Sequence, residues 1–311
     1  MSRAPQPLHL DAVTTAGALL PLDFLGRLMG QPDAALAGLT PEAYGLVGQS
    51  LEEGAADAWH RLRAQWQRFQ ADLAKAPAAT QAQVVRQRWL DPLFVVLGYQ
   101  HARQALTAPL TAPDTDRTWA ISHRAWHTPI HTVGWKLPLD TRTKGARGAA
   151  AQAPHALLQG YLNRAEHDRW GLVTNGAELR ILRQHRNLSQ QPYLGFDLQA
   201  IFDGSLFPEF RLLWLTAHAS RLVPRNSEGA AEDTGAEGPF TPAHSYLEQW
   251  RAVAEQAGVK ALDDLRAGVE QAIQALGDGF HRDPTIKQRL AAGALDKQAF
   301  FRPPKRPVYR R

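Results

Sequence analysis

From Leu51 to Ala76 the apolar residues Trp59, Leu62, Trp66, Phe69 and Leu73 recur at intervals of 3, 4, 3 and 4. That spacing predicts a long helix with one buried stripe, leaving Arg61, Arg63, Gln67 and Arg68 on other faces. Ala76-Pro77 ends it, because the residue before a proline is pushed out of the helical region. A second helical pattern follows over residues 80–100, burying Trp89, Leu90, Leu93, Phe94 and Leu97; Pro92 should kink or split it, and Gly98 is the expected C′ glycine. Before both, the Leu20–Leu25 patch reads as a loop and a short helix after Asp23. Strand-like runs then appear at Thr118–Ile121 and Pro129–Lys136.

Residues 154–202 read as helix, strand, turn, strand and capped helix. The turn is Asn175-Gly176, a dipeptide tolerant of positive φ, set between Trp170, Leu172, Val173 and the alternating Leu179, Ile181. Asp197 stands at the N-cap position before Leu198, Ile201 and Phe202. Residues 209–222 predict one more helix. Residues 223–242, rich in Pro, Gly, Ala and acids, predict a flexible linker. Two further helices are expected beyond it, one bearing Tyr246, Leu247 and Trp250. The other carries Leu262, Leu265, Val269, Ile273 and Leu276 as a packing stripe and ends at Gly277 or Gly279.

Composition narrows the class. With 311 residues and 44% hydrophobic content the chain can bury a core, and its lack of cysteine excludes disulfides and thiolate zinc sites. No apolar run approaches the roughly 18 residues of a membrane span, so a soluble cytoplasmic protein with no membrane partner is expected. The net charge of +5 suits a nucleic-acid partner. His123, His127 and His131 are four residues apart, yet Pro129 and the strand-like composition around it argue against one helical face of metal ligands.

Two motifs carry a family resemblance. The segment from Trp170-Gly171 through Val173-Thr174-Asn175-Gly176 to Leu179-Arg180-Ile181-Leu182-Arg183 resembles a hairpin of the nuclease-like region at the front of type IIG restriction-modification proteins. Related phage-defence adenine methyltransferases share it. The run Pro92-Leu93 through Leu97-Gly98-Tyr99 resembles the opening helix of the same PD-(D/E)xK region. The resemblance implies an α/β (α+β) fold: a restriction-endonuclease-like mixed sheet of four or five strands flanked by helices. It sets a helical region over 1–111, a core over 112–222, the linker over 223–242 and a helical segment with a basic tail over 243–311.

It also implies where chemistry should lie. Such nucleases pair two carboxylates around Mg²⁺ with a Lys that orients water. At the expected tripeptide stand Gly134, Trp135 and Lys136, so the Lys is present and the carboxylate is not; upstream, only Asp114 and Asp116 remain, in what reads as a loop. Asp140, beside Arg142 and Lys144, is the candidate for a displaced carboxylate. Gln159 extends the signature and would contact the substrate backbone, with Asn163 on the same face; its plainer role is to satisfy a nearby backbone group. Arg180, Arg183 and Arg186 are candidate phosphate contacts.

No Asn-Pro-Pro-Tyr target-base motif or Gly-rich cofactor loop occurs. The expectation is therefore a DNA-engaging, catalytically degenerate nuclease-like module of a restriction-modification or phage-defence methyltransferase system. It needs no cofactor, and its partners would be DNA and a methyltransferase domain or subunit encoded downstream. The alternatives are an active Mg²⁺-dependent endonuclease with shifted carboxylates, and a scaffold that docks a methyltransferase without touching DNA.

Overall fold

The computed structural model describes residues 10–17, 19–30, 36–100, 106–185, 192–226, 231 and 240–292. The chain opens with β1 (Val13–Ala16) and α1 (Leu22–Met29), whose Phe24, Leu25 and Leu28 are buried. Next comes α2 (Leu51–Lys75), started by a reciprocal capping box between Ser50 and Glu53 and ended at Ala76. Its predicted stripe is buried from Trp59 to Phe69.

The following helical run divides into α3 (Ala78–Val84), a π turn over Val85–Leu90 and α4 (Asp91–Val96). Pro92 explains the break, since it has no N–H for the carbonyl of Arg88 four residues earlier. Gln65 of α2 repairs the loss by donating its Nε2–H to Arg88 O at 2.6 Å. A proline signal in one helix is thus answered by an amide in another.

Then come β2 (Leu110–Ala112), β3 (Thr115–Trp119), β4 (His123–Ala125), β5 (Thr128–Thr132) and α5 (Pro154–Leu162). They are followed by β6 (Trp170–Thr174), β7 (Glu178–Arg183), β8 (Tyr193–Asp197) and α6 (Leu198–Asp203), capped by the Asp197 side chain as its sequence position predicts. The main sheet has six strands in the order β1-β8-β7-β6-β5-β4, and β2 pairs with β3 apart from it. Every pairing is antiparallel except β5 with β6, which α5 connects. This is a mixed α/β architecture with a six-stranded mixed sheet flanked by helices. It has more strands than the four or five expected: β1, β4 and β8 join it without having been read as strands, while the Thr118–Ile121 run falls at β3, outside this sheet.

Alternation along β6 and β7 builds two cores. Leu172, Leu179 and Ile181 point into one cluster with Trp59, Trp66 and Trp89 of the helical layer, while Val173 and Leu182 point into another with Leu158 and Leu162 of α5 and Trp119 of β3. Trp89 Nε1–H also donates to Gly176 O at 2.7 Å, fastening the helical layer to the hairpin turn.

Five readings of the sequence need correction here. Strand β5 stops at Thr132, so Lys136 lies beyond it, in a turn and with φ 56°; Asp116, read as loop, is on β3. Only Gly176 of the hairpin dipeptide has positive φ (84°), and Asn175 serves instead as a side-chain acceptor for the N–H groups of Ala177 and Glu178 at 3.0 and 2.7 Å. The 209–222 helix is two, α7 (Phe207–Ala217) and α8 (Ala219–Leu222), because His218 is extended and caps the second. The last two helices are α9 (Tyr246–Arg282) and α10 (Pro284–Ala291), since one helix replaces the expected pair and runs past Gly277 and Gly279.

The first compact unit extends to Ala254, and the second begins at Glu255. The division therefore falls at neither the 111/112 nor the 222/223 boundary, and Leu247, Trp250 and Ala254 belong to the first core. In the second unit Leu262, Leu265, Val269, Ile273 and Leu276 are 50–66% exposed, so the stripe predicted to pack is uncovered within that unit's described residues. The linker's predicted flexibility and the basic tail fall mostly or wholly outside the described residues. No helix among the described residues is long and apolar enough to cross a membrane.

Candidate functional site

The residues singled out from the sequence are distributed over three places. Lys136 is exposed and its backbone N–H donates to Asn175 O at 3.1 Å, holding the 134–137 turn against the hairpin. Its ammonium lies 5.5 Å from the Trp135 ring, beside a shallow depression that also includes Glu178 and Asp197. Gly134 accepts from Leu137 N–H at 3.1 Å in the same turn. No strand carries this tripeptide.

Asp140 meets Arg180 instead of Lys136. The two form a bidentate pair at 2.6 and 2.8 Å, Glu178 also accepts from Arg180 Nε, and the guanidinium stacks 4.6 Å over the Tyr193 ring. Arg180 is buried; burial works against its charge, but the Asp140 and Glu178 hydrogen bonds hold its pKa above the usual range. The Arg180 hydrogen bonds in turn hold Asp140 below the ordinary carboxylate range. Arg180 N–H also reaches His155 Nδ1 at 3.0 Å, and burial followed by that nearby cation pushes His155 down to about 4. Arg180, expected as a phosphate contact, has its donors engaged in this ionic cluster.

Gln159 and Arg183 form the third place. Gln159 Nε2 donates to Asn163 Oδ1 at 2.8 Å and to Arg183 O at 2.9 Å, satisfying the backbone of β7 as its plainer reading proposes. The side chain is buried, which removes it from a substrate surface. Arg183 grips Glu248 through two hydrogen bonds of 2.8 and 2.6 Å, and Arg169 and Arg251 converge on the same carboxylate. Burial raises the pKa of Glu248, but the Arg183 hydrogen bonds and the three cations outweigh it, and the net shift is downward. Arg186 lies outside the described residues.

A cleft that sequence reasoning did not assemble has the better geometry for a ligand. It encloses about 900 Å³ beyond the C-terminal end of β5, where the parallel pair β5/β6 ends and the chain turns away. Such ends are where α/β sheets commonly hold ligands. Its floor is polar: Ser122, His123, His131 and Thr132. Val85, Leu90, Ile121 and Val133 supply apolar wall, and Arg86 and Arg147 supply positive charge. Asp91 is the acidic residue of the described lining, and its carboxylate is 4.0 Å from Arg86.

Hydrogen bonds fix the floor. Ser122 Oγ accepts from Thr132 N–H at 2.8 Å and lies 2.8 Å from His123 Nδ1, while His131 Nε2 lies 2.8 Å from the carbonyl of Gly148. Burial, then Arg86, His131 and Arg147, push His123 down to about 4; burial lowers His131 as well, partly opposed by the Gly148 carbonyl. Both imidazoles are neutral near pH 7. His127, the third of the spaced histidines, lies apart at 3.2 Å from Asp168, which also accepts from Arg124 and Tyr161. Among the described residues no three His, Cys, Asp or Glu side chains are grouped to hold a metal ion. The one sequence signal for this floor is the Ser122-His123 pair with His131 eight residues on.

No protein-family model matches this chain, and no curated protein or solved structure matches it significantly.

Proposed function

We propose that this chain is a DNA-engaging module on a restriction-endonuclease-like frame that lacks that frame's metal-dependent cleavage chemistry, and that it works beside a methyltransferase domain or subunit. The observation that carries the reading is the cleft at the end of β5, with Arg86 and Arg147 on its walls and one acid, already beside Arg86, in its lining. Cations over a polar floor suit a phosphate backbone. Arg142 and Lys144, exposed on the same loop as Arg147, extend the positive surface. The carboxylates a nuclease would need are engaged elsewhere: Asp140 and Glu178 on Arg180, Asp168 on Arg124 and Tyr161. An Mg²⁺-dependent site on Asp140 would have to break its pair with Arg180.

A mobility-shift titration of duplex DNA at two salt concentrations tests this. Affinity should fall with salt, and Arg86→Gln with Arg147→Gln should flatten the log–log slope by about 2, at roughly 0.9 for each phosphate left without its cation. No binding at low salt would favour the scaffold alternative. Incubation with plasmid and Mg²⁺ or Mn²⁺ should leave the plasmid intact; cleavage abolished by Lys136→Ala or Asp140→Ala would overturn the degenerate reading.

A further inference from the structure

Hydrogen bonds constrain where the protons of the cleft floor sit. Ser122 Oγ lies 3.1 Å from the carbonyl oxygen of Ile130, which can only accept. His123 Nδ1 at 2.8 Å and Thr132 Oγ1 at 3.3 Å also lie in reach of that hydroxyl, which accepts from Thr132 N–H at 2.8 Å; with its proton on Ile130 O, it accepts from His123 Nδ1–H as well. In that arrangement His123 is the tautomer whose Nε2 keeps its lone pair, on the ring edge away from Ser122. His131 is constrained in the opposite sense. Its Nε2–H donates to Gly148 O at 2.8 Å, so Nδ1 holds the lone pair, and that atom is buried without a partner.

The cleft consequently lines its floor with two neutral imidazole acceptors. A ligand that satisfies them must bring N–H donors on a body flat and apolar enough for walls made of Val85, Leu90, Ile121 and Val133, and an anion for Arg86 and Arg147. A volume of about 900 Å³ admits a molecule of nucleotide size.

We propose that this cleft receives a single nucleotide, with an amino-bearing base inside against His123 and His131 and its phosphate on Arg86 and Arg147. The proposal rests on the DNA-engaging reading and deepens it by naming what enters the cleft. Two sources share this chemistry: a free nucleotide, and a nucleotide unit turned out of a strand. Thymine, whose one N–H lies between two carbonyl acceptors, fits an acceptor-lined floor worse than cytosine or adenine, which present NH₂ groups.

Calorimetric titration of the full chain with dAMP, dCMP, dTMP and inorganic phosphate tests it. The expected result is that dAMP and dCMP bind at least tenfold more tightly than dTMP or phosphate. His123→Phe should erase the difference between dCMP and dTMP, and Arg147→Gln, a change at an exposed position, should weaken every anion including phosphate. The comparison of ligands on the unaltered chain stands even if the His123 variant fails to fold. Tighter binding of labelled single strands than of duplex supports a strand unit as the source; nucleotide binding without that preference supports a free nucleotide. If dAMP and dCMP bind no better than phosphate while duplex DNA still binds, this inference is overturned and the DNA-engaging reading stands. If neither nucleotides nor any form of DNA bind, both fall.

Discussion

Replacing Glu248 by Gln removes one negative charge from the point where three guanidiniums meet. The carboxylate side chain is 8% exposed, and Arg183, which it binds with both oxygens, is 18% exposed, so little water is present to replace the lost partner. Breaking a buried ion pair from one side costs about 3–5 kcal/mol. An amide oxygen can keep one of the two Arg183 hydrogen bonds, which brings the expected loss to about 2–4 kcal/mol. For a unit of this size that lowers Tm by about 5–12 °C. The pH dependence has a definite sign. The folded pKa of Glu248 lies below its ordinary 4.5, so its stabilisation is complete above that value and is lost as pH falls through the folded pKa. The gap between the native chain and Glu248→Gln, measured by urea unfolding, should be widest near pH 7 and shrink below about pH 4.5. A double-mutant cycle with Arg183→Met should give a coupling of about 2 kcal/mol, since both changes remove the same bonds. A loss under about 1 kcal/mol, or a gap that does not narrow in acid, would refute the view that Arg183 is held for structure and not for DNA.

Asp140→Asn should cost no more than about 1 kcal/mol in chemical denaturation, because its own side chain is 66% exposed and Glu178 keeps the buried Arg180 paired; a larger loss would mean that the contact with Arg180 is better shielded than it looks. Gly176→Ala should destabilise by about 1–3 kcal/mol, since φ is 84° and an added Cβ would stand 2.9 Å from the Trp135 ring; an unchanged melting curve would show that the turn can relax. Arg183→Gln should weaken stability but leave the salt slope of DNA binding unchanged, and a flatter slope in a mobility-shift titration would restore it as a phosphate contact. Leu265→Glu, at a position 64% exposed, should shift thermal unfolding by less than about 0.5 kcal/mol, and a large shift would show that the stripe is covered.

Sequence pattern determined the elements whose signals are local. The 3-4 spacing of Trp59 to Phe69 and the capping position of Asp197 are properties of a few neighbouring residues, and so is the Pro92 break; all three hold in the fold. The Asn175-Gly176 hairpin was legible for the same reason, although the division of labour between its two residues was not. What only the tertiary structure decided is which polar side chains meet. Arg180, Arg183 and Asp140 look alike on paper as surface charges, yet their partners are 40 residues away for Arg180 and Asp140, and 65 for Arg183 and Glu248. The packing of a loop carrying Asp140 and of helix α9 carrying Glu248 against β7 brings those partners together, and the candidate phosphate contacts Arg180 and Arg183 are taken up in internal bonds. The cleft is the converse case. Ser122, His123, His131 and Thr132 belong to adjacent segments, but they line one cleft only because β4 pairs with β5 and the π turn at Val85–Leu90 stands opposite.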